Sequence, residues 1–129
     1  MIIGVGLDLV DLTHFRRVVQ KGGARFYEKC LTDVEYKEWQ GLSTTQKLKF
    51  GAKRYAVKEA FAKACGTGLG DFVGLKDVGL SHDKSGAPKI VLSRSLSTKI
   101  VKKFGKNIQI NVSVSDDGIA GAIVILSQN

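Results

Sequence analysis

This chain is short of cysteine, of long apolar runs and of acid, and each shortage excludes something. Its two cysteines, Cys30 and Cys65, stand in different segments with no C-x-x-C and no metal-ligand spacing. A disulfide scaffold and a thiolate zinc site are therefore excluded, and reduced thiols in a cytoplasmic protein are expected, neither of them a nucleophile. The opening MIIGVGLDLVD is apolar but short and carries an acid at position 8. It reads as neither a signal segment nor a membrane span, and no membrane partner is expected. Asp and Glu number 12 against 20 Lys and Arg, a formal charge of +8. A field of that sign draws polyanions: nucleic acid, anionic lipid, a phosphate-rich cofactor or a very acidic protein. Neither an RNP-like strand nor zinc-finger spacing occurs, so the readable marks of a nucleic-acid module are missing.

What is present fits a single globular domain over residues 1–129, with 43% hydrophobic and 25% charged residues. A chain of that size buries about two-thirds of its extended surface on folding. Its strongest pattern is FGAKRYAVKEAFAKACGTGLG, Phe50 to Gly70, with alanine at 52, 56, 60, 62 and 64 and a Gly66-Thr67-Gly68 break. The stretch predicts a long central helix from Gln46 to Cys65. At about 100° per residue, Phe50, Val57, Phe61 and Ala64 share an arc of roughly 60° and form a core stripe. Glu59 points nearly the other way, with Lys63 one turn on and the small side chains Ala52 and Ala56 behind it. An ordinary solvated ion pair is one reading of Glu59 and Lys63; a ligand site is the other. The glycines that follow let backbone approach a ligand and offer N–H groups to phosphate oxygens.

Upstream, Ile3, Val5, Leu7 and Leu9 alternate with Gly4, Gly6 and Asp8. That alternation predicts a first strand with both glycines and Asp8 on one face, open to close backbone approach. An acid in so apolar a strand is costly to bury unpaired, so Asp8 either sits at an exposed strand end or meets something positive. Asp11 and Thr13 are better placed to cap the next helix. That helix, Leu12 to Lys21, turns Leu12, Phe15, Val18 and Val19 inward and a basic face of His14, Arg17 and Lys21 outward. A short helix from Ala24 to Cys30 follows. Thr32 to Glu35 then has capping-box spacing and opens another short helix, ending at Trp39 as a core residue. Two hairpins turn at Asp83-Lys84-Ser85-Gly86 and at Asp116-Asp117-Gly118. Between them a helix from Ser95 to Phe104 carries Leu96, Ile100 and Val101 inward and Lys99, Lys102 and Lys103 outward. The plan is α+β, a mostly antiparallel sheet packed with a long central helix.

Together Asp8, Glu59, Lys63 and the glycine turn are the parts of a magnesium-diphosphate site: oxygen ligands for the ion, an ammonium for phosphate oxygens, and backbone donors beside them. At this point the sequence resembles the holo-[acyl-carrier-protein] synthases, the small bacterial type of 4′-phosphopantetheinyl transferase. The likeness runs through GVGLDLVDLTHF, RYAVKEAFAKACGTG, Gly86-Ala87-Pro88-Lys89 and NVSVSDDGIAGAIVIL, nearly the whole chain. It implies transfer of the phosphopantetheine arm of coenzyme A to a serine of apo acyl carrier protein, in support of fatty acid biosynthesis, releasing adenosine 3′,5′-bisphosphate. By the same resemblance Asp8 and Glu59 would bind magnesium and Lys63 the diphosphate. Arg54, with Lys53 second, would grip the 3′-phosphate; Gly66, Thr67 and Gly68 would approach the cofactor, and Pro88 would lie near the adenine. The family also implies a homotrimer with active sites between subunits.

Acyl carrier proteins are strongly acidic, and Arg16, Arg17, Lys21 and Arg25 are suited to steer one in. Many relatives have arginine where this chain has His14, which moves a direct carrier contact toward Arg16 or Arg17. Many also have a histidine where this chain has Asp116, leaving Glu59, a metal-bound water or Asp116 as the proton acceptor. Two other readings compete: a non-catalytic basic module for nucleic acid or an acidic protein, and a metal-dependent phosphohydrolase using the same acids.

Overall fold

Asp11 ends the first strand and begins the first helix: its Oδ1 accepts from the amides of Thr13 at 2.8 Å and His14 at 3.1 Å. The computed structural model describes all residues, 1–129, and from this corner the chain runs as β1 (Ile2–Asp11), α1 (Leu12–Gly22), α2 (Ala24–Cys30), α3 (Asp33–Gln40), α4 (Thr44–Ala64), β2 (Val78–His82), β3 (Pro88–Leu92), α5 (Arg94–Phe104), β4 (Ile108–Ser115) and β5 (Ile119–Gln128). The strands form a sheet of order β1-β5-β4 and a separate hairpin, β2-β3, all antiparallel. The α+β plan is thus realised as two sheets around one helix. The long helix begins two residues before Gln46, because Ser43 and Gln46 make a reciprocal capping box there.

α4 lies on the inner face of the three-stranded sheet, and glycine makes the contact possible. A Cβ on Gly6 would stand 1.8 Å from the Ala60 carbonyl oxygen, and one on Gly4 2.0 Å from that of Ala64. The expected close approach is helix backbone against strand backbone. Phe50, Val57, Phe61 and Ala64 are buried as the stripe predicts. Ala52 and Ala56, expected beside Glu59 on an open face, are instead fully buried. Small side chains here bring secondary elements together; they do not clear space for a ligand.

A buried ion pair locks the hairpin to this body. Glu35 Oε1 accepts from Lys58 Nζ at 2.9 Å and, completing the capping box of α3, from the Thr32 amide at 3.0 Å. Its Oε2 accepts from the Leu80 amide at 2.9 Å, and Lys58 also donates to the Val78 carbonyl. One carboxylate therefore ties α3, α4 and β2 together. Trp39 is core, tilted against Tyr27 at 4.3 Å and stacked on Tyr36 at 5.4 Å. Two residues expected inside, Val18 and Val101, are partly exposed.

The outer face of the sheet is bare. Val5, Leu7, Leu9, Ile119 and Ile123 stand there between 37% and 64% exposed, set opposite one another by the register Val5↔Ile125, Leu7↔Ile123 and Leu9↔Gly121.

Candidate active site

The two-residue period of β1 that turns Gly4 and Gly6 against α4 also turns Asp8 toward the helix, beyond the point of closest contact. There a cavity of about 450 Å³ opens, lined by Asp8, Asp11, His14, Phe15, Val18, Phe26, Tyr55, Glu59 and Lys63. The three residues expected to carry the chemistry, Asp8, Glu59 and Lys63, are brought together in it.

Lys63 does not pair with Glu59, so the solvated i,i+4 bridge is not formed. Its Nζ reaches across to β1, donating to Asp8 Oδ1 at 3.2 Å and to the Leu7 carbonyl at 3.0 Å. Glu59 is held by Tyr55, one turn back, whose hydroxyl donates to Oε1 at 3.1 Å. Burial first and the Glu59 charge second push the Tyr55 pKa up to about 12, so the phenol stays a donor at any physiological pH. Each acid thus has one oxygen engaged and the other, Asp8 Oδ2 and Glu59 Oε2, without a protein partner. No three His, Cys, Asp or Glu side chains gather closely enough to enclose a metal on their own. Two carboxylates with free oxygens do fit magnesium, which keeps several waters and takes only one or two protein carboxylates. The thiols take no part: burial pushes Cys30 up to about 12 and Cys65 up to about 11.

The glycine turn departs from expectation. The Gly66 amide donates to the Lys63 carbonyl at 2.9 Å, and those of Thr67 and Gly68 to the Ala62 carbonyl at 3.3 Å and 3.1 Å. These N–H groups close the end of α4 and are not free for phosphate. Gly66 and Gly68 have φ of +81° and +66°, conformations that favour glycine, and nothing lies within 4 Å of a Cβ built on either. Close approach of a ligand to the turn remains open; donation from these three amides does not. Lysines of α5 expected to face outward serve this loop, Lys103 donating to the Cys65 carbonyl at 3.1 Å and Lys99 to that of Asp71 at 2.9 Å.

Arg54 and Lys53 lie outside the cavity. Arg54 is buried with its guanidinium 3.6 Å above the Phe50 ring. Its Nε has no hydrogen-bond partner, and the nearest carboxylate oxygen, Glu35 Oε2, is 3.9 Å away. Lys53 bridges to Asp116 Oδ2 at 3.0 Å. Pro88 opens β3 at the outer end of the hairpin, paired with His82. Of the basic residues, His14 lines the acidic cavity, and Arg17 and Lys21 share its side of α1 at about 100° per residue; Arg25 is exposed on α2. Arg16 turns away from them into a second cavity of about 470 Å³ beside Trp39 and Lys47. The sequence reading missed the apolar wall of the site, Phe15, Val18, Phe26 and Tyr55. Their helical spacing was visible, but the same spacing describes a core.

Residues 4–121 match the model of the 4′-phosphopantetheinyl transferase superfamily, and the chain belongs to it. Within that superfamily its relatives are holo-[acyl-carrier-protein] synthases. The Brucella ovis enzyme of that name is 34% identical over 129 residues, covering 98% of this chain and 95% of its own. The crystal structure of the Neisseria meningitidis holo-[acyl-carrier-protein] synthase superposes with a TM-score of 0.89 at 33% identity, covering 99% of this chain and all of that one. A Bacillus anthracis synthase, solved in complex with CoA (3′,5′-ADP), has a TM-score of 0.82 at 30% identity and covers 100% of this chain and 99% of its own.

Proposed function

We propose that this chain transfers the 4′-phosphopantetheine arm of coenzyme A to a serine hydroxyl of apo acyl carrier protein, dependent on magnesium, releasing adenosine 3′,5′-bisphosphate and so supplying holo carrier for fatty acid synthesis. The observation that carries the reading is the pairing of Asp8 and Glu59, each with one oxygen fixed and one free, beside the Lys63 ammonium in an open cavity. Asp8 Oδ2 and Glu59 Oε2 would hold the ion. When bound, it neutralises charge on the diphosphate and activates phosphorus toward the hydroxyl. Lys63, more than half exposed at its side chain, offers donors to phosphate oxygens and stabilises charge that grows on the leaving group. The proton acceptor is Glu59 or a metal-bound water within this cavity, or Asp116, which bridges to Lys53 outside it and would act, like Lys53, at a neighbouring subunit's site.

The assembly we propose is a homotrimer with its sites between subunits. Two observations support it. The bare apolar face of the sheet suits contact with another copy, since large exposed patches of this kind mark interaction surfaces. Arg54, whose Nε lacks an internal partner, lies about 140° around α4 from Glu59. It and Lys53 therefore serve a 3′-phosphate only if a ligand reaches them from a neighbour's site, and the same holds for Pro88 and the adenine.

The first test is the intact mass of purified apo acyl carrier protein after incubation with the chain, coenzyme A and magnesium. A gain of about 340 Da, lost with EDTA and in Glu59→Ala, is expected for metal-dependent transfer. No gain with several carriers overturns the reading. Steering is tested separately. Arg17→Glu combined with Lys21→Glu is expected to raise the apparent KM for carrier about tenfold at low salt and leave that for coenzyme A unchanged. Unaltered carrier kinetics would remove α1 as the docking face.

A further inference from the structure

Tyr55 stands one turn before Glu59 on α4, and its hydroxyl is the only protein donor to that carboxylate, at 3.1 Å from Oε1. The half-buried ring packs against Phe15 and Phe26, with centroids 6.0 Å and 6.2 Å away, at the junction of α1, α2 and α4. Lys63 treats Asp8 in the same way, engaging Oδ1 and leaving Oδ2. Of the acids that line the cavity, Asp8 and Glu59 are thus oriented by different partners, a half-exposed ammonium for one and a partly buried phenol for the other.

We infer that Tyr55 is a positioning residue of the cation site: by occupying Glu59 Oε1 from a ring packed against Phe15 and Phe26, it fixes the carboxylate so that Oε2 is presented to a divalent ion. A carboxylate on a free three-torsion stem loses side-chain entropy whenever it is immobilised by a ligand, and one already held loses less. Outer partners of metal ligands act in this way, and removing one typically lowers metal affinity or activity about 10- to 100-fold. The inference rests on the proposed metal site and concerns a residue outside the set that would touch the ion.

The test is Tyr55→Phe, which removes one oxygen and keeps the ring packing, so the melting temperature should stay within about 2 °C of the parent. Manganese serves as the probe, its free concentration read by electron paramagnetic resonance during titration of the full chain in the presence of coenzyme A. The Kd for manganese is expected to rise about tenfold, as is the magnesium concentration giving half-maximal transfer, while kcat at saturating magnesium falls less than about threefold. A manganese Kd within about twofold of the parent overturns the inference and leaves the transferase reading intact. A parent chain that does not bind manganese overturns both. Manganese binding weakened tenfold in a chain that transfers nothing to any carrier upholds the role of Tyr55 and overturns the reaction alone.

Discussion

Gly6→Ala is expected to destabilise the fold by about 3 kcal/mol or more and to lower transfer activity at least about a hundredfold in whatever folded protein remains. The added methyl would lie 1.8 Å from the Ala60 carbonyl oxygen. Both sides of that contact are backbone, so no side chain can turn aside; β1 and α4 must separate. Overpacking relieved by rotamer changes typically costs 1–3 kcal/mol, and a rigid contact belongs at the upper end or beyond. The effect on catalysis has its own cause. Asp8 rides on β1 two residues after Gly6, whereas Glu59 and Lys63 ride on α4, so widening the gap moves the acids apart. A misplacement of about 1 Å among reacting groups can cost about a hundredfold in rate. Chemical denaturation and single-turnover transfer separate the two effects. A Gly6→Ala protein with parental stability would mean that the sheet and helix can part without strain.

Glu35→Ala is expected to destabilise by about 3–5 kcal/mol, the range for breaking a buried ion pair from one side. For a domain of this size that corresponds to a fall of roughly 10–20 °C in melting temperature. Both Glu35 and Lys58 are almost wholly buried, and the substitution strands the Lys58 ammonium with only the Val78 carbonyl. The Leu80 and Thr32 amides also lose their acceptor. Replacing Glu35 and Lys58 together by apolar residues should recover much of the loss, because the penalty lies in the uncompensated charge. Calorimetry on the single and double variants measures this. A loss below about 1 kcal/mol for Glu35→Ala would show that water reaches the lysine.

Much of this was legible in the sequence because short-range rules govern it. The alternation through Ile3 to Leu9, the caps at Asp11 and Thr32, and the apolar stripe of α4 act over a few residues, and the elements they predict are present. The grouping of Asp8, Glu59 and Lys63 was legible from their chemistry, with the resemblance beside it, and the three line one cavity. What escaped depends on partners distant in sequence. Glu35 reads as a capping residue, and nothing near it announces Lys58, 23 residues on, as its buried counterion. Lys99 and Lys103 look like solvated charges until the loop at 65–72 folds over them. The glycine turn misled for a different reason: glycine at Gly66 and Gly68 suits both an amide cradle for phosphate and a helix end at positive φ, and only the hydrogen bonds of the folded chain decide between the two.

β1 shows how much can depend on a phase. Its even positions, Gly4, Gly6 and Asp8, meet the helix; its odd positions, Val5, Leu7 and Leu9, make the bare apolar ridge. A slip of one residue along β5 would exchange the two sets, driving leucine into helix backbone and turning Asp8 out onto the ridge. The glycine contacts with Ala60 and Ala64 act as a gauge that only one phase can pass. Acid chemistry and apolar surface are therefore inherited together on one strand, and a single-residue insertion in it would lose both at once.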